Sequence, residues 1–130
     1  MPTGTAVKVV DASALAALLF GEPEAEHILA ALSSGLLVAP ALLEFELADI
    51  CVIKIRRHPS QRQFLRQALG LRERMAIETV AVPTDEVVTL AEATGFTTYD
   101  ASYLWLTRRL DAELVTLDRK LGEAAVRKNG

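Results

Sequence analysis

Apolar residues follow two rhythms along this 130-residue chain. Short runs alternate with longer stretches in which apolar side chains return every three or four positions. The short runs are VKVV (7–10), LLVA (36–39), IETVAV (77–82) and AELVTL (112–117). Runs of this length, rich in valine and leucine and bounded by turn residues, predict strands largely buried on both faces. The longer stretches predict helices. Ser13–Phe20 is one, broken by GEP at 21–23, and Pro23 opens the next through Ala25, Ile28, Leu29 and Leu32. Pro40 is expected to start a long helix that runs to about Arg57 and ends at HPS (58–60). Gln61–Ala76 predicts a further helix, with Phe64, Leu65, Ala68, Leu69, Arg72 and Met75 along one face. Thr84 or Asp85 caps another, stopped by Gly95 as a left-handed residue. Asp100–Leu110 and Arg119–Arg127 complete the set. Strand–helix alternation predicts an α/β fold, a mainly parallel central sheet with helices on both faces. The length fits a single domain over residues 1–130. Ligands of such sheets gather at the carboxyl ends of the strands, and Asp11 and Asp118 fall just past two of them.

Charge adds an asymmetry. Between Lys54 and Arg74 stand seven basic residues (Lys54, Arg56, Arg57, Arg62, Arg66, Arg72, Arg74) against Glu73 alone. That window carries +6 in a chain of net charge −3, so the remainder carries −9. The window reads either as a grip on a polyanion or as a solvated helix face. Cys51 is the single cysteine and there are two histidines, so neither a disulfide within the chain nor a cysteine or histidine metal cluster is expected. No signal-peptide pattern and no apolar run of membrane-spanning length is present, and a cytoplasmic protein is expected.

The acids carry the chemistry. Asp11, Asp100 and Asp118 each sit beside a predicted helix start. There a carboxylate can accept hydrogen bonds from free N–H groups and meet the positive end of the helix dipole. Glu46 does not fit that account. Its neighbours on the helix cylinder are Leu42, Leu43, Asp49, Ile50 and Ile53, so it needs a partner, a metal or a way to solvent. Glu44 projects to another side, among Ala48, Cys51 and Ile55, and is expected to snorkel at the rim. Several carboxylates at one sheet edge raise one another's pKa unless a cation sits among them. Oxygen-only ligands suit Mg²⁺ or Mn²⁺, and such ions can support phosphodiester hydrolysis by activated water.

Four stretches together resemble the acidic motifs of PIN-domain ribonucleases, above all the VapC-type toxins of toxin–antitoxin pairs. They are VVDASAL, AP-x5-E-x2-D, TTYDASYLWLTRRL and AELVTLDRKL, in order from Val7 to about Ala125. The resemblance implies a PIN-like three-layer α/β/α domain with Asp11, Glu46, Asp100 and Asp118 as an acidic quartet. Asp11, Asp100 and Asp118 would be metal ligands, and Glu46 would bind metal or orient the nucleophilic water. Ser13 and Thr116 occupy positions where the family often has a supporting hydroxyl, and local capping or strand pairing is their alternative role. Asp49 stands where the family often has asparagine. The resemblance further implies Mg²⁺ (or Mn²⁺), an RNA substrate, a cognate antitoxin and a homodimer. The helix from Pro40 to Ile55 is apolar round most of its circumference, which places it mainly in the core and secondarily at an interface. Arg62 and Arg66, four apart, could reach successive RNA phosphates. Three other readings stay open: a free-standing RNA-processing nuclease, a non-catalytic PIN-like binding module, and an aspartyl-phosphate phosphatase. The last usually needs a second acid where Ser13 stands.

Overall fold

Residues 6–126 are described by the computed structural model. Four strands form one sheet: β1 (Val7–Val10), β2 (Leu36–Pro40), β3 (Ile77–Val80) and β4 (Glu113–Val115). All pairings are parallel and the order is β3-β2-β1-β4. The described residues also form seven α-helices: α1 (Ala12–Leu19), α2 (Ala25–Leu32), α3 (Leu43–Arg57), α4 (Arg62–Gly70), α5 (Thr84–Thr94), α6 (Thr98–Arg109) and α7 (Arg119–Val126). The expected end of the last helix at Arg127 lies outside the described residues.

Alternate strand residues feed two cores, which makes three layers. Val10, Ala39, Ile77 and Val115 pack under α1 to α4. Val9 packs with Tyr103, Leu104 and Leu106 of α6 and Leu121 of α7. This two-sided burial is why the strands read as nearly unbroken apolar runs. Growth from β1 through β2 to β3 runs in one direction, and β4 then returns to the other side of β1. The sheet therefore reverses its winding between β1 and β4, where loops part and leave a crevice beyond the strand ends.

Several local expectations are corrected. Pro40 ends β2 opposite Val80, and α3 begins only at Leu43. Pro40 lies beyond the pairing with β1, which ends at Val38, so its missing N–H takes no bond from that ladder. The strands at 77–82 and 112–117 are shorter than expected, at 77–80 and 113–115. Pro83, and neither Thr84 nor Asp85, holds the N-cap position of α5, while Gly95 does end it with φ +81°. The helix expected over Gln61–Ala76 breaks after Gly70 into a 3₁₀ turn, Leu71–Arg74, that swings Arg72 inward, and Phe64 stays 60% exposed.

Core placement also shifts. Only Leu43, Leu47 and Cys51 of α3 are buried, one stripe at i, i+4 and i+8, and Phe45 is 82% exposed. The enclosed helix is α1, with Ala12, Ala14, Leu15, Ala16, Ala17 and Leu19 buried. Its small alanines let neighbouring elements close on every side.

The basic window loses two of its charges to internal partners. Lys54 pairs with Glu22 and lies over the Phe20 ring. Arg72 pairs with Glu44 at 2.7 Å. Arg56, Arg57, Arg62, Arg66 and Arg74 remain exposed.

Candidate active site

The crevice at the winding reversal holds a cavity of about 260 Å³ lined by Asp11, Ala12, Ser13, Glu46, Asp49, Ile50, Asp100, Tyr103 and Asp118. Five carboxylates thus share one cavity, and no lysine, arginine or histidine lines it. β1, α3, α6 and the β4–α7 loop each bring at least one. Asp49, left open from sequence, lines the same space. Arg62 and Arg66 do not; they stand exposed on α4.

Asp11 follows the central strand and caps α1 by accepting the Ala14 N–H at 3.0 Å. The capping role is real and does not exhaust the carboxylate. Ser13 Oγ donates to Oδ1 at 2.7 Å, and Thr116 Oγ1 donates to Oδ2. Each hydroxyl is itself oriented by a backbone donor from beyond β4: Leu117 N–H to Ser13 Oγ at 3.0 Å, and Asp118 N–H to Thr116 Oγ1 at 2.9 Å. Both hydroxyls thus hydrogen-bond the Asp11 carboxylate and are themselves held by backbone donors. A carboxylate oxygen offers two lone-pair sites, so Oδ1 is filled and Oδ2 keeps one.

Asp118 caps α7 through Oδ1, which accepts the Leu121 N–H at 2.9 Å. Asp100 departs from the capping expectation. Thr97 is the N-cap of α6, its Oγ1 accepting the Asp100 N–H at 3.1 Å. Asp100 stands in the first helical turn, and among the described residues its carboxylate has no hydrogen-bond donor. Glu46 Oε1 accepts the Tyr103 hydroxyl at 2.6 Å. Tyr103 is the site residue that the sequence reading missed. Its signal was its place one turn after Asp100 in YDASY, on the same side of the helix.

Burial is the main reason Asp11, Glu46 and Asp100 all have raised pKa values, and the neighbouring acids push the same way. For Asp11 the hydrogen bonds from Thr116, Ala14 and Ser13 oppose the rise, and for Glu46 the bond from Tyr103 does. Burial and then the bond to Glu46 lift the Tyr103 hydroxyl far above its ordinary range, so it stays a donor. The pH dependence follows. A carboxyl with a raised folded pKa binds protons more readily folded than unfolded, so stability falls as pH rises. The window runs from the ordinary values, 3.8 for Asp and 4.5 for Glu, up to the raised folded ones. Thermal melts in EDTA are expected to show this fall in wild type and a smaller one in Glu46→Gln. Equal slopes in the two proteins would contradict the electrostatic account.

The donor set suits a hard cation that keeps water. Among the described residues no three His, Cys, Asp or Glu side chains stand close enough to hold an ion among themselves. Mg²⁺ needs no such cage, because one or two carboxylates and several waters satisfy it. An all-oxygen lining with excess negative charge fits that ion and fits no soft metal.

Fold and site together define a class: α/β domains that collect carboxylates, and no cation of their own, where the strand order reverses. The chain belongs to the PIN domain family, which matches it over residues 8–127. It is 31% identical over 120 residues to Ribonuclease VapC3 of Pyrobaculum aerophilum, covering 88% of this chain and 92% of that protein. Among solved structures it is similar to PAE2754 of Pyrobaculum aerophilum, with TM-score 0.73 and 26% identity over 92% of this chain and 84% of the other. A second likeness is to VapC20 of Mycobacterium tuberculosis, a sarcin–ricin-loop-cleaving toxin. There the TM-score is 0.66 and the identity 17%, covering 90% of this chain and 94% of the other, a likeness of fold alone. The chain is a PIN domain of the VapC type. No helix among the described residues is long and apolar enough to cross a membrane.

Proposed function

We infer that this chain is a metal-dependent endoribonuclease, the toxin of a toxin–antitoxin pair. The observation that carries the reading is the cavity lined by five carboxylates without a cation, in a PIN domain of the VapC type. One or two of these carboxylates would hold Mg²⁺ or Mn²⁺ directly and the others would act through its waters. The oxygens left free for this are both of Asp100, Oδ2 of Asp11 and Asp118, and Oε2 of Glu46. A bound ion would supply Lewis acidity and a water of lowered pKa. Glu46, with its proton affinity raised by burial, would orient the attacking water and accept its proton as the water oxygen bonds to phosphorus. The RNA oxygen whose P–O bond breaks takes a proton from solvent and leaves as a hydroxyl. Asp11 stays fixed by Ser13 and Thr116 through the reaction. Asp49, exposed at the cavity rim, adds charge that draws the cation in.

The RNA backbone is gripped outside the acids. Arg62 and Arg66 lie one turn apart on α4, the spacing at which two guanidinium groups meet neighbouring phosphates. The substrate is a structured RNA read by shape and backbone, since aromatic residues make up only 5% of the chain. A second copy of the chain and an antitoxin are the protein partners, and Phe45, Val52 and Ile53 on the open face of α3 are available to be covered.

One assay tests the reading. The purified chain is expected to cut structured RNA with Mg²⁺ or Mn²⁺ and to stop in EDTA. With Arg62→Glu and Arg66→Glu together, binding of the same RNA weakens and its salt slope drops by about two. Cleavage that persists in EDTA overturns the metal reading, and an unchanged salt slope removes α4 from the RNA surface.

A further inference from the structure

Glu46 is the one glutamate of the proposed quartet; it reaches the cavity from the first turn of α3, and its longer side chain has more torsions to fix than those of the three aspartates. Nothing on α3 itself holds its carboxylate. The hydrogen bond that does comes from another helix: Tyr103 Oη donates to Oε1 at 2.6 Å.

We propose that Tyr103 is a positioning residue for the cation site, locking the Glu46 carboxylate so that Oε2 is presented to the ion and its water; this rests on the metal-dependent reading above. Three features support it. The tyrosine is 1% exposed, its ring wedged with Val9, Leu104, Leu106 and Leu121 in the second core, so the hydroxyl sits on a rigid platform. The phenol has one proton, and at 2.6 Å it is given to Glu46 Oε1. The bond also ties α3 to α6 one turn from Asp100, so it fixes the spacing between the Glu46 and Asp100 carboxylates. Outer partners that aim a ligating group are a recurrent part of metal sites.

Calorimetric titration of Mn²⁺ into the full chain tests this. Tyr103→Phe keeps the ring and removes the hydroxyl, and is expected to weaken Mn²⁺ affinity about tenfold, the lower end of the range for loss of such partners. In a Glu46→Gln background the same substitution is expected to change affinity by less than about twofold, because the group it acts through is gone. A purely structural tyrosine would lower the thermal midpoint and leave the affinity of the folded protein unchanged, which overturns the proposal. The two readings fail separately. Undiminished binding by Tyr103→Phe, beside weakened binding by Glu46→Gln and Asp100→Asn, overturns the tyrosine's role alone. Undiminished binding by all three overturns the cation site itself. A measurement without substitution stands beside these. The buried phenol proton is expected to give a slowly exchanging downfield NMR resonance that shifts when Mg²⁺ is added, and a resonance that ignores Mg²⁺ overturns the role.

Discussion

Asp100→Asn is expected to leave a protein that is folded, at least as stable as wild type without metal, and unable to cut RNA. The reasoning has two halves. Asparagine preserves shape, and the Asp100 carboxylate carries no hydrogen bond among the described residues, so nothing structural is lost. Burial and the charges of Asp118 and Asp11 already disfavour its ionised form. Removing that charge relieves repulsion, the usual signature of a group kept for activity at a cost in stability. The other half concerns cleavage. Asp100 is the acid with both oxygens free to meet an ion, so its loss removes a ligand outright. The drop in cleavage rate is expected to exceed the roughly hundredfold upper figure for merely supporting groups. Cleavage of a structured RNA and a thermal melt in EDTA check both halves. A variant that cuts as fast as wild type would sink the assignment of the quartet.

Arg72→Ala is expected to give the largest loss of stability away from the cavity. Arg72 is 8% exposed, and its guanidinium holds Glu44 Oε2 at 2.7 Å and the carbonyls of Met75 and Ile77, each at 3.3 Å. It fastens α3, the 3₁₀ turn after α4 and the start of β3 at one point. Truncation leaves two backbone acceptors short of a donor and opens a void, together costing about 3 kcal/mol. For a domain of this size that lowers the thermal midpoint by about 10 °C. Glu44→Ala is expected to cost less, about 1–2 kcal/mol, because the Glu44 side chain is 46% exposed and Arg72 keeps its two carbonyls. Urea denaturation gives both values. An Arg72→Ala protein within about 0.5 kcal/mol of wild type would mean that the guanidinium is no fastener.

Much of the frame was readable from the chain because the pattern and the physics agreed. Strands buried on both faces leave unbroken apolar runs, and Gly95 marked a left-handed stop. The placing of Asp11 and Asp118 beyond strand ends followed from the same pattern. What misled were residues whose partners are distant in sequence. Arg72 sat at an apolar helical spacing and was read with the core face, and only folding shows that Glu44 meets it there. Lys54 counted as a free charge until Glu22 came beside it. The apolar circumference of α3 looked like burial, yet the enclosed helix is the alanine-rich α1, since small side chains let elements approach and large ones do not. In TTYD the cap is Thr97, three residues before Asp100, because its hydroxyl accepts the Asp100 N–H and leaves the aspartate in the first helical turn. Tyr103 went unmarked because a tyrosine in an apolar helix is normally core, and its ring is.

The two hydroxyls that brace Asp11 come from opposite ends of the chain. Ser13 lies two residues from the aspartate it serves, and Thr116 lies 105 residues away. The same late segment supplies β4, the strand that flanks β1 on one side, and Asp118. During synthesis, then, the first strand waits for the last. Synthesis must pass Asp118 before both oxygens of Asp11 are braced and the cavity is closed. An unfinished nascent copy lacks Thr116 and Asp118 and so carries an incomplete set of cavity acids.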